Sequence, residues 1–498
     1  MEDMTTASLA DEVTKQGVQN KLFPEGTTAR TGLSRQQIEV TNKRYQNDPF
    51  WAGPKGLAYS SILGAQPYQV ANLYPDEGTS YFVAWFDLPK NGKLIIKGEY
   101  GHLRYFSYTA ASHLPGGQLG NGDFIVDREI QPDPGSVNPF DPDNSRDASP
   151  RSYTVYLING EAPEDINDRE PNTIYTGTDI IENPVHLAFR NYIPDVGYDG
   201  TGCVPLDELD GNGLPEVSLE LDGEIFTGKA MRDILHAEKR AQIPGSTVKD
   251  WVKKIRNSYN PESAPSLPET SEPYYFQRFW NTNYSGFGAF ILNPEERVIR
   301  YSADPTGGLA ANPDTVYMIA TVSLARGELF VVRAKMPQHS NTKHGEKTWN
   351  KDDQLRYWSA SSGGTLPSGW GWDTVYDEEM PLDDDGYFTL VMSWPDDRPA
   401  NARPECGVKW LDFGSGEGRY VGARNWVGQL YMRYQHVSET WGESPANIPQ
   451  PTPKHPKPMD AEFMKEYYPL AKYMSKKDFE MLGDNPIITF DKKPLGAE

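Results

Sequence analysis

The sequence has few cysteines and a deficit of basic residues. Two cysteines, Cys203 and Cys406, occur in 498 residues. Two are too few for a disulfide framework or a zinc cluster, so we predict isolated buried thiols, with a pair between the two as the alternative. Lys and Arg number 48 and Asp and Glu number 70, which gives a net charge of −22. That charge argues against nucleic acid and against an anionic membrane surface as partners.

Several targeting and catalytic signals are also missing from the sequence. No run approaches the roughly 18 apolar residues of a membrane span. The opening MEDMTTASLADEV lacks the basic and apolar segments of a signal peptide. We therefore expect a cytoplasmic protein, with a mature secreted chain as the alternative. Gly-x-Ser-x-Gly, His-Glu-x-x-His, P-loop and dinucleotide-binding motifs are absent as well, so no motif predicts a reaction.

Aromatic residues and turn formers are abundant. Phe, Trp and Tyr make up 12% of the chain, which also has 45 Gly and 41 Pro. This composition is typical of many short strands separated by turns. The length exceeds what one core supports, so at least two domains are expected. We predict a mainly β protein of two tandem antiparallel β-sandwich or jelly-roll-like modules.

A five-residue pattern occurs twice, as LRYFS at 103–107 and LRYWS at 355–359. Two apolar segments flanking a glycine precede each copy. An acidic segment and two further apolar strands follow each copy. Five matched segments in the same order, roughly 240 residues apart, indicate a tandem duplication. Two unrelated β domains of similar composition are the alternative.

The remaining sequence sets the expected domain boundaries. Asn91-Gly92 is a hairpin signal between two strands. A short helix beginning near Ser475 should bury Phe479 and Leu482. The predicted parts are an N-terminal polar arm with one short helix (1–50), a first module (51–225), a helical connector with a Pro/Ser linker (226–280), a second module (281–440) and an extended C-terminal strap (441–498).

The stretch NPDTVYMIATVSLARGELFVVRAKMP at 312–337 resembles the Asn-x-Asp-Thr-x-Tyr signature of a widespread, uncharacterised family. Members of that family pair two β-rich modules described as domains of unknown function. The strand ending FRNYIPD at 189–195 is similar to the end of the second module. The first repeat departs from the signature, with PDEGTSYFVAWFDL at 75–88. The resemblance implies a paired-module architecture and no particular reaction.

Two pairs of carboxylates are candidate acid/base groups. Asp127 and Glu129 lie two apart in a predicted strand, and Asp377 and Glu379 repeat the arrangement. Alternate residues of a strand point to one face, so each pair could supply a general acid and a general base. The alternative is a solvated outer face of a sandwich.

Aromatic and arginine side chains around the repeat are candidate ligand contacts. Rings can stack on a sugar, and a guanidinium can make bidentate bonds to a carboxylate. Cross-strand packing with the arginine stems buried is the alternative. The predicted ligand-binding residues are Tyr105, Arg190, Arg356, Tyr357, Trp358 and Arg433.

The loop DELDGNGLPE at 207–216 is a candidate calcium site. Oxygen-bearing side chains alternate along it, and Gly213 lies where a calcium loop turns sharply. An ordinary Asp-Gly-Asn-Gly turn explains the same residues. The predicted ligands are Glu208, Asp210, Asn212 and Glu216.

These features predict a small-molecule or glycan-binding protein with a cleft between its modules, because ligand sites are frequent at domain junctions. A carboxylate-dependent hydrolase or lyase acting on a sugar or hydroxy acid is one alternative. A structural or assembly protein, whose partner would be a second copy of the chain, is the other.

Overall fold

The computed structural model describes twelve parts of the chain. They are residues 32–56, 59, 75–112, 123–177, 185–208, 210–237, 272–280, 294–301, 314–364, 371–414, 427–457 and 459–490. Most of the predicted N-terminal arm, and residues 238–271 of the predicted connector and linker, lie outside this described part.

The first module consists of two five-stranded sheets, with strands numbered along the chain. One sheet has the spatial order β1 (Ala52–Lys55), β2 (Thr79–Phe86), β8 (Val185–Pro194), β4 (Leu103–Ser112) and β5 (Asp123–Val126). The other has the order β10 (Glu224–Thr227), β9 (Glu216–Leu221), β3 (Gly92–Glu99), β6 (Ser152–Ile158) and β7 (Thr173–Tyr175).

The second module repeats this arrangement with a five-stranded and a four-stranded sheet. One sheet has the order β11 (Gln277–Arg278), β12 (Thr315–Ser323), β18 (Val427–Gln435), β14 (Tyr357–Gly363) and β15 (Gly371–Tyr376). The other has the order β17 (Val408–Asp412), β16 (Tyr387–Ser393), β13 (Leu329–Lys335) and β19 (Leu470–Met474).

The two modules share one topology. The order β1-β2-β8-β4-β5 corresponds to β11-β12-β18-β14-β15, and β9-β3-β6-β7 corresponds to β19-β13-β16-β17. Even the exceptional parallel pairs match, since β6 runs parallel to β7 and β16 parallel to β17. Each of the five segment pairs that match in the sequence contains a pair of equivalent strands. The predicted mainly β fold of two tandem sandwich-like modules is confirmed.

The hairpin predicted at Asn91-Gly92 is wrong. Strand β2 pairs with β1 and β8, whereas β3 pairs with β6 and β9. Both edges of each strand are therefore already occupied by other partners. The turn carries the chain from one sheet of the sandwich to the other.

Each module encloses its own apolar core between its two sheets. Phe106 from β4 packs in the first core with Tyr153 from β6. Its counterpart Trp358 packs in the second core with Phe388 from β16. Tyr105 and Tyr357, one residue earlier, point to the opposite faces of their sheets because strand side chains alternate.

Short helices and the C-terminal strap complete the described fold. The short helix predicted in the N-terminal arm is present at Arg35–Tyr45, and Ser34 caps it through a reciprocal bond with Gln37. The strap supplies β19, which pairs with β13. Phe479 is buried as predicted, whereas Leu482 is 41% exposed, because it lies beyond the end of its five-residue helix. The helices are α1 (Arg35–Tyr45), α2 (Gly228–Ile234), α3 (Pro294–Tyr301), α4 (Asp460–Met464) and α5 (Lys476–Glu480).

Both cysteines are unpaired thiols, as predicted; Cys406 is buried, whereas Cys203 is partly exposed. Among the described residues, no helix combines the length and the apolar composition needed to cross a membrane.

Candidate functional site

Buried ion pairs join the two modules. Arg190 on β8 donates from Nη2 to Asp314, immediately before β12, at 2.8 Å. The hydroxyl of Tyr105 on β4 donates to the other oxygen of Asp314 at 2.6 Å. Burial disfavours the charge on Asp314, but Arg190 and Tyr105 outweigh it and hold the Asp314 pKa below its ordinary value. The carboxylate of the second module is thus held by two residues of the first.

The equivalent cluster of the other repeat, with the roles of the two modules exchanged, lies beside it. Arg433 on β18 donates to Asp76 at 3.4 Å, and Tyr357 on β14 donates to the same carboxylate at 2.9 Å. Asp76 belongs to the first module and its two partners to the second. The sequence comparison did not identify Asp76, because Glu77 and Gly78 separate it from β2, whereas Asp314 directly precedes β12.

Four predicted ligand-binding residues therefore contact the other module. The rings of Tyr192 and Tyr357 have centroids 5.2 Å apart across the junction. Tyr105, Tyr357, Arg190 and Arg433 are each 3% exposed or less. Where we expected an open crevice, these side chains fill the space between the modules.

The arginines of the repeated Leu-Arg-Tyr motif form a second pair of contacts across the junction. Arg104 donates from Nη1 to both oxygens of Asp377 at 3.1 Å, and it also contacts Glu378. Its counterpart Arg356 lies 3.6 Å from Asp127. Asp127 and Asp377 both accept a backbone N–H at 2.9 Å, from Phe106 and Trp358 respectively, which fixes their orientation.

The prediction that each carboxylate pair lies in a strand is wrong. Strand β5 ends at Val126, one residue before Asp127, and residues 377–379 form a 3-10 turn. The alternation of a strand does not apply there, so the members of each pair separate. Asp127 and Asp377 are buried in the junction, whereas Glu129 is exposed at its rim.

Trp358 does not face the junction. It is fully buried in the core of the second module, next to Phe388 at a centroid distance of 5.1 Å. It lies beside Tyr357 in sequence, and adjacent strand residues point to opposite faces. A ligand at the junction therefore cannot stack on it.

A cavity of about 470 Å³ opens at one end of the junction; we call it the junction pocket. Phe124, Arg128 and Glu129 line it from the first module. Arg356, Asp353 and His436 are among the residues lining it from the second. Of the predicted site residues, Glu129 and Arg356 meet here. Arg128, Asp353 and His436 were not predicted.

The equivalent position at the other end of the junction is filled by the chain itself. Glu379, the counterpart of Glu129, accepts the N–H of Gly32 at 3.0 Å and lies 3.4 Å from the amine of Lys343. Gly32 packs so closely that a Cβ there would lie 2.9 Å from Ile193. Ile193 is the counterpart of His436, and both have a left-handed backbone, with φ of 49° and 45°. Among the described residues, the duplicated site is therefore closed at the Gly32 end of the junction and open at the other end.

Burial shifts the protonation of groups in the junction pocket. It lowers the pKa of His436 to about 4, with the charges of Arg356 and Arg128 acting in the same direction. It raises the pKa of Asp353, whose Oδ2 accepts from Ser340 at 2.6 Å and whose Oδ1 has no hydrogen-bond partner in the part of the chain that the structure describes. The wall thus presents a neutral imidazole and a carboxylate with an unused oxygen.

The four predicted calcium ligands are all exposed side chains. Asn212 accepts the N–H of Leu214 at 3.1 Å, and Gly213 donates to the hydroxyl of Tyr45 at 2.9 Å, as in an ordinary turn. Over the part of the chain that the structure describes, no three His, Cys, Asp or Glu side chains cluster as a metal site requires. Calcium binding by Glu208, Asp210, Asn212 and Glu216 stays a prediction.

No family model matches the chain, and no curated protein matches it either. Two solved structures are similar to it over most of its length. An uncharacterised protein from Burkholderia cenocepacia is 12% identical, with 95% of this chain and 97% of that chain covered and a TM-score of 0.43. A protein from Vibrio parahaemolyticus is 11% identical, with 88% and 96% covered and a TM-score of 0.36.

Proposed function

We propose that this chain binds a small molecule or a short glycan in the junction pocket. The observation that carries the proposal is the difference between the two equivalent ends of the junction. At one end Gly32 fills the space and donates to Glu379. At the other end the cavity is open, and Arg356 lines it, with its Nε and Nη1 lacking a hydrogen-bond partner among the described residues.

The size and lining of the pocket suit a small polar ligand. Its volume of about 470 Å³ lies within the range typical of small-molecule sites. Phe124 and Leu355 provide apolar wall, and Arg128, Glu129 and Asp353 provide polar groups. Buried polar atoms without partners cost folding free energy, and a ligand that satisfies them would recover part of that cost.

Two phenylalanine substitutions two residues apart test the site. Ser438 lines the pocket, whereas Thr440 is exposed outside it. Their hydroxyls bond to each other at 2.8 Å, so Ser438→Phe and Thr440→Phe each remove this contact, and Ser438→Phe also removes the acceptor of a 3.4 Å bond from the Thr440 N–H. Only Ser438→Phe places a ring in the cavity.

The readout is thermal stability in the presence of sugars and organic acids. A ligand that binds the folded chain raises its melting temperature. We expect active compounds to stabilise the wild type and Thr440→Phe but not Ser438→Phe. Equal responses in both variants would refute binding in this pocket. Melting that depends on protein concentration and not on any compound would favour the assembly alternative.

A carboxylate-dependent hydrolase or lyase is the second candidate. Asp353 favours it, because its pKa is raised by burial and one of its oxygens has no partner in the pocket wall. A raised pKa is a property that acid/base catalysis requires. Under this alternative, Asp353→Asn abolishes turnover of a bound sugar or hydroxy acid and preserves its binding.

A further inference from the structure

The ligand class of the junction pocket can be inferred from one difference between the two repeats; this inference rests on the proposed function. The residues after β5 are Asp127-Arg128-Glu129, and the equivalent residues after β15 are Asp377-Glu378-Glu379. Only the middle position differs in charge, with arginine in one repeat and glutamate in the other.

In the repeat with glutamate, two carboxylates balance the positive charge of the buried arginine. Arg104 donates to both oxygens of Asp377 and contacts Glu378 as a second carboxylate. Its Nε donates to the hydroxyl of Thr342 at 3.0 Å. Although burial opposes the charge of Arg104, these carboxylates raise its pKa above the ordinary value. Each nitrogen of this guanidinium therefore has a partner within the chain and does not require one from a ligand.

The repeat with arginine leaves the other guanidinium under-compensated. Arg356 is 2% exposed. Within the described part of the chain, the polar contacts of its guanidinium are those of Nη2, with the carbonyl of Arg104 at 2.9 Å and with Asp127 at 3.6 Å. Arg128, which replaces the second carboxylate, adds a like charge. Burial, assisted by that charge, lowers the pKa of Arg356 to about 10.

Both arginines that line the pocket have guanidinium nitrogens without a partner among the described residues. Nε and Nη1 of Arg356 and Nε of Arg128 are buried without a hydrogen bond in the described part of the chain. The ring of Trp349 lies 4.0 Å from the guanidinium carbon of Arg356 and covers one of its faces. The donors that remain lie in the guanidinium plane, which is the geometry that binds an oxyanion.

We propose that the junction pocket binds a hydroxylated small molecule through an oxyanion group, a carboxylate or a phosphate, held by Arg128 and Arg356. The oxyanion takes the place that Glu378 occupies in the other repeat. Hydroxyl groups complete the ligand, because Glu129, Asp353 and Glu439 also line the pocket and accept hydrogen bonds. Sugar acids and sugar phosphates have this combination of groups.

The decisive substitution is Arg128→Glu, which gives the open site the charge pattern of the closed one. It removes one guanidinium and offers Arg356 a second carboxylate. Lys454→Glu is the matched control, since Lys454 is exposed and the same change of charge occurs away from the pocket. Arg128→Gln removes the charge without adding a carboxylate and serves as the second variant.

The probes are glucuronate, glucose 6-phosphate, inorganic phosphate and neutral glucose, each titrated by calorimetry into the whole chain. We expect glucuronate or glucose 6-phosphate to bind the wild type and Lys454→Glu more tightly than glucose does. Arg128→Gln should weaken that binding about tenfold or more, because charge-assisted bonds are lost. Arg128→Glu should abolish it, and should melt at a higher temperature than the wild type without ligand.

The possible failures are distinguishable. If glucose binds as tightly as its acid, and Arg128→Glu retains that binding while Ser438→Phe loses it, the oxyanion inference is wrong and the proposed pocket stands. If no probe binds the folded wild type, the inference is overturned. If Arg128→Glu melts at a lower temperature than both the wild type and Lys454→Glu, a carboxylate at position 128 does not balance the charge of Arg356, and the inference is overturned as well.

Discussion

Arg104 and Arg356 each donate a hydrogen bond to the backbone carbonyl of the other across the module junction. Nη1 of Arg104 lies 3.4 Å from the carbonyl oxygen of Arg356, and Nη2 of Arg356 lies 2.9 Å from that of Arg104. The two residues occupy the same position of the repeated motif, so the junction is close to a twofold arrangement of two fused modules. Its departures from symmetry, at Gly32 and at Arg128, coincide with the closed and open ends.

The ion pair between Arg190 and Asp314 should be essential for stability. Arg190→Met leaves a buried carboxylate without its cation, which typically costs about 3–5 kcal/mol of unfolding free energy. Urea denaturation measures the loss. The double variant Arg190→Met with Asp314→Asn should lose less than the sum of the single variants, because the two residues are in contact.

An exposed ion pair provides the control for that experiment. Lys229 and Asp233 lie one helical turn apart, with side chains 78% and 62% exposed. Lys229→Met should cost about 0.5 kcal/mol or less. A comparable loss in Lys229→Met and Arg190→Met would contradict the importance of the junction pair.

Asp127 and Asp377 should respond unequally to the same substitution. Asp377→Asn weakens a bidentate pair with Arg104 and should cost about 2–3 kcal/mol. Asp127→Asn should cost about 1 kcal/mol or less, because burial already raises the Asp127 pKa and Arg356 lies farther away. Urea denaturation near neutral pH compares the variants. Equal losses would show that the junction behaves symmetrically.

His436 should contribute to acid sensitivity. Its native pKa of about 4 lies below its ordinary value, so the unfolded chain binds more protons as pH falls. The contribution of the neutral ring to stability is therefore present above about pH 6.5 and lost progressively towards pH 4. The charged groups around it are Arg128, Glu129, Asp314, Asp353, Arg356 and Glu439.

The test is His436→Asn, because asparagine tolerates the left-handed backbone at this position. Between about pH 7 and pH 5 the variant should lose less unfolding free energy than the wild type. His455→Asn, at an exposed position, should behave as the wild type. Parallel pH profiles for all three proteins would remove His436 as a source of the acid sensitivity.

The C-terminal strap should stabilise the second module through one buried ring. Phe479→Ala removes a fully buried side chain and should cost about 3–5 kcal/mol. Leu482→Ala, three residues later and 41% exposed, should change stability by about 0.5 kcal/mol or less. Thermal unfolding of both variants measures the contrast. A large loss of stability in Leu482→Ala and none in Phe479→Ala would show that Leu482, and not Phe479, anchors the strap.

Local patterns were sufficient to predict much of the fold. Strand segments, their repetition and the short helix of the N-terminal arm depend on neighbouring residues, and the structure has them. The hairpin predicted at Asn91-Gly92 is wrong because a turn sequence fixes a change of chain direction but does not determine which strands pair with each other. The carboxylates after β5 and β15 were misjudged because the strand ends one residue too early for alternation to apply.

Two copies of a β unit, an arginine and an aromatic residue at equivalent places in each, and an acidic, cysteine-poor chain are all readable from the order of the residues. Only the tertiary structure decided that Tyr105 and Tyr357 meet across a junction, that Asp76 serves the role of Asp314, and that one end is closed while the other is open. Period and composition are properties of short segments, whereas these contacts join residues more than 200 positions apart and depend on how the two modules pack.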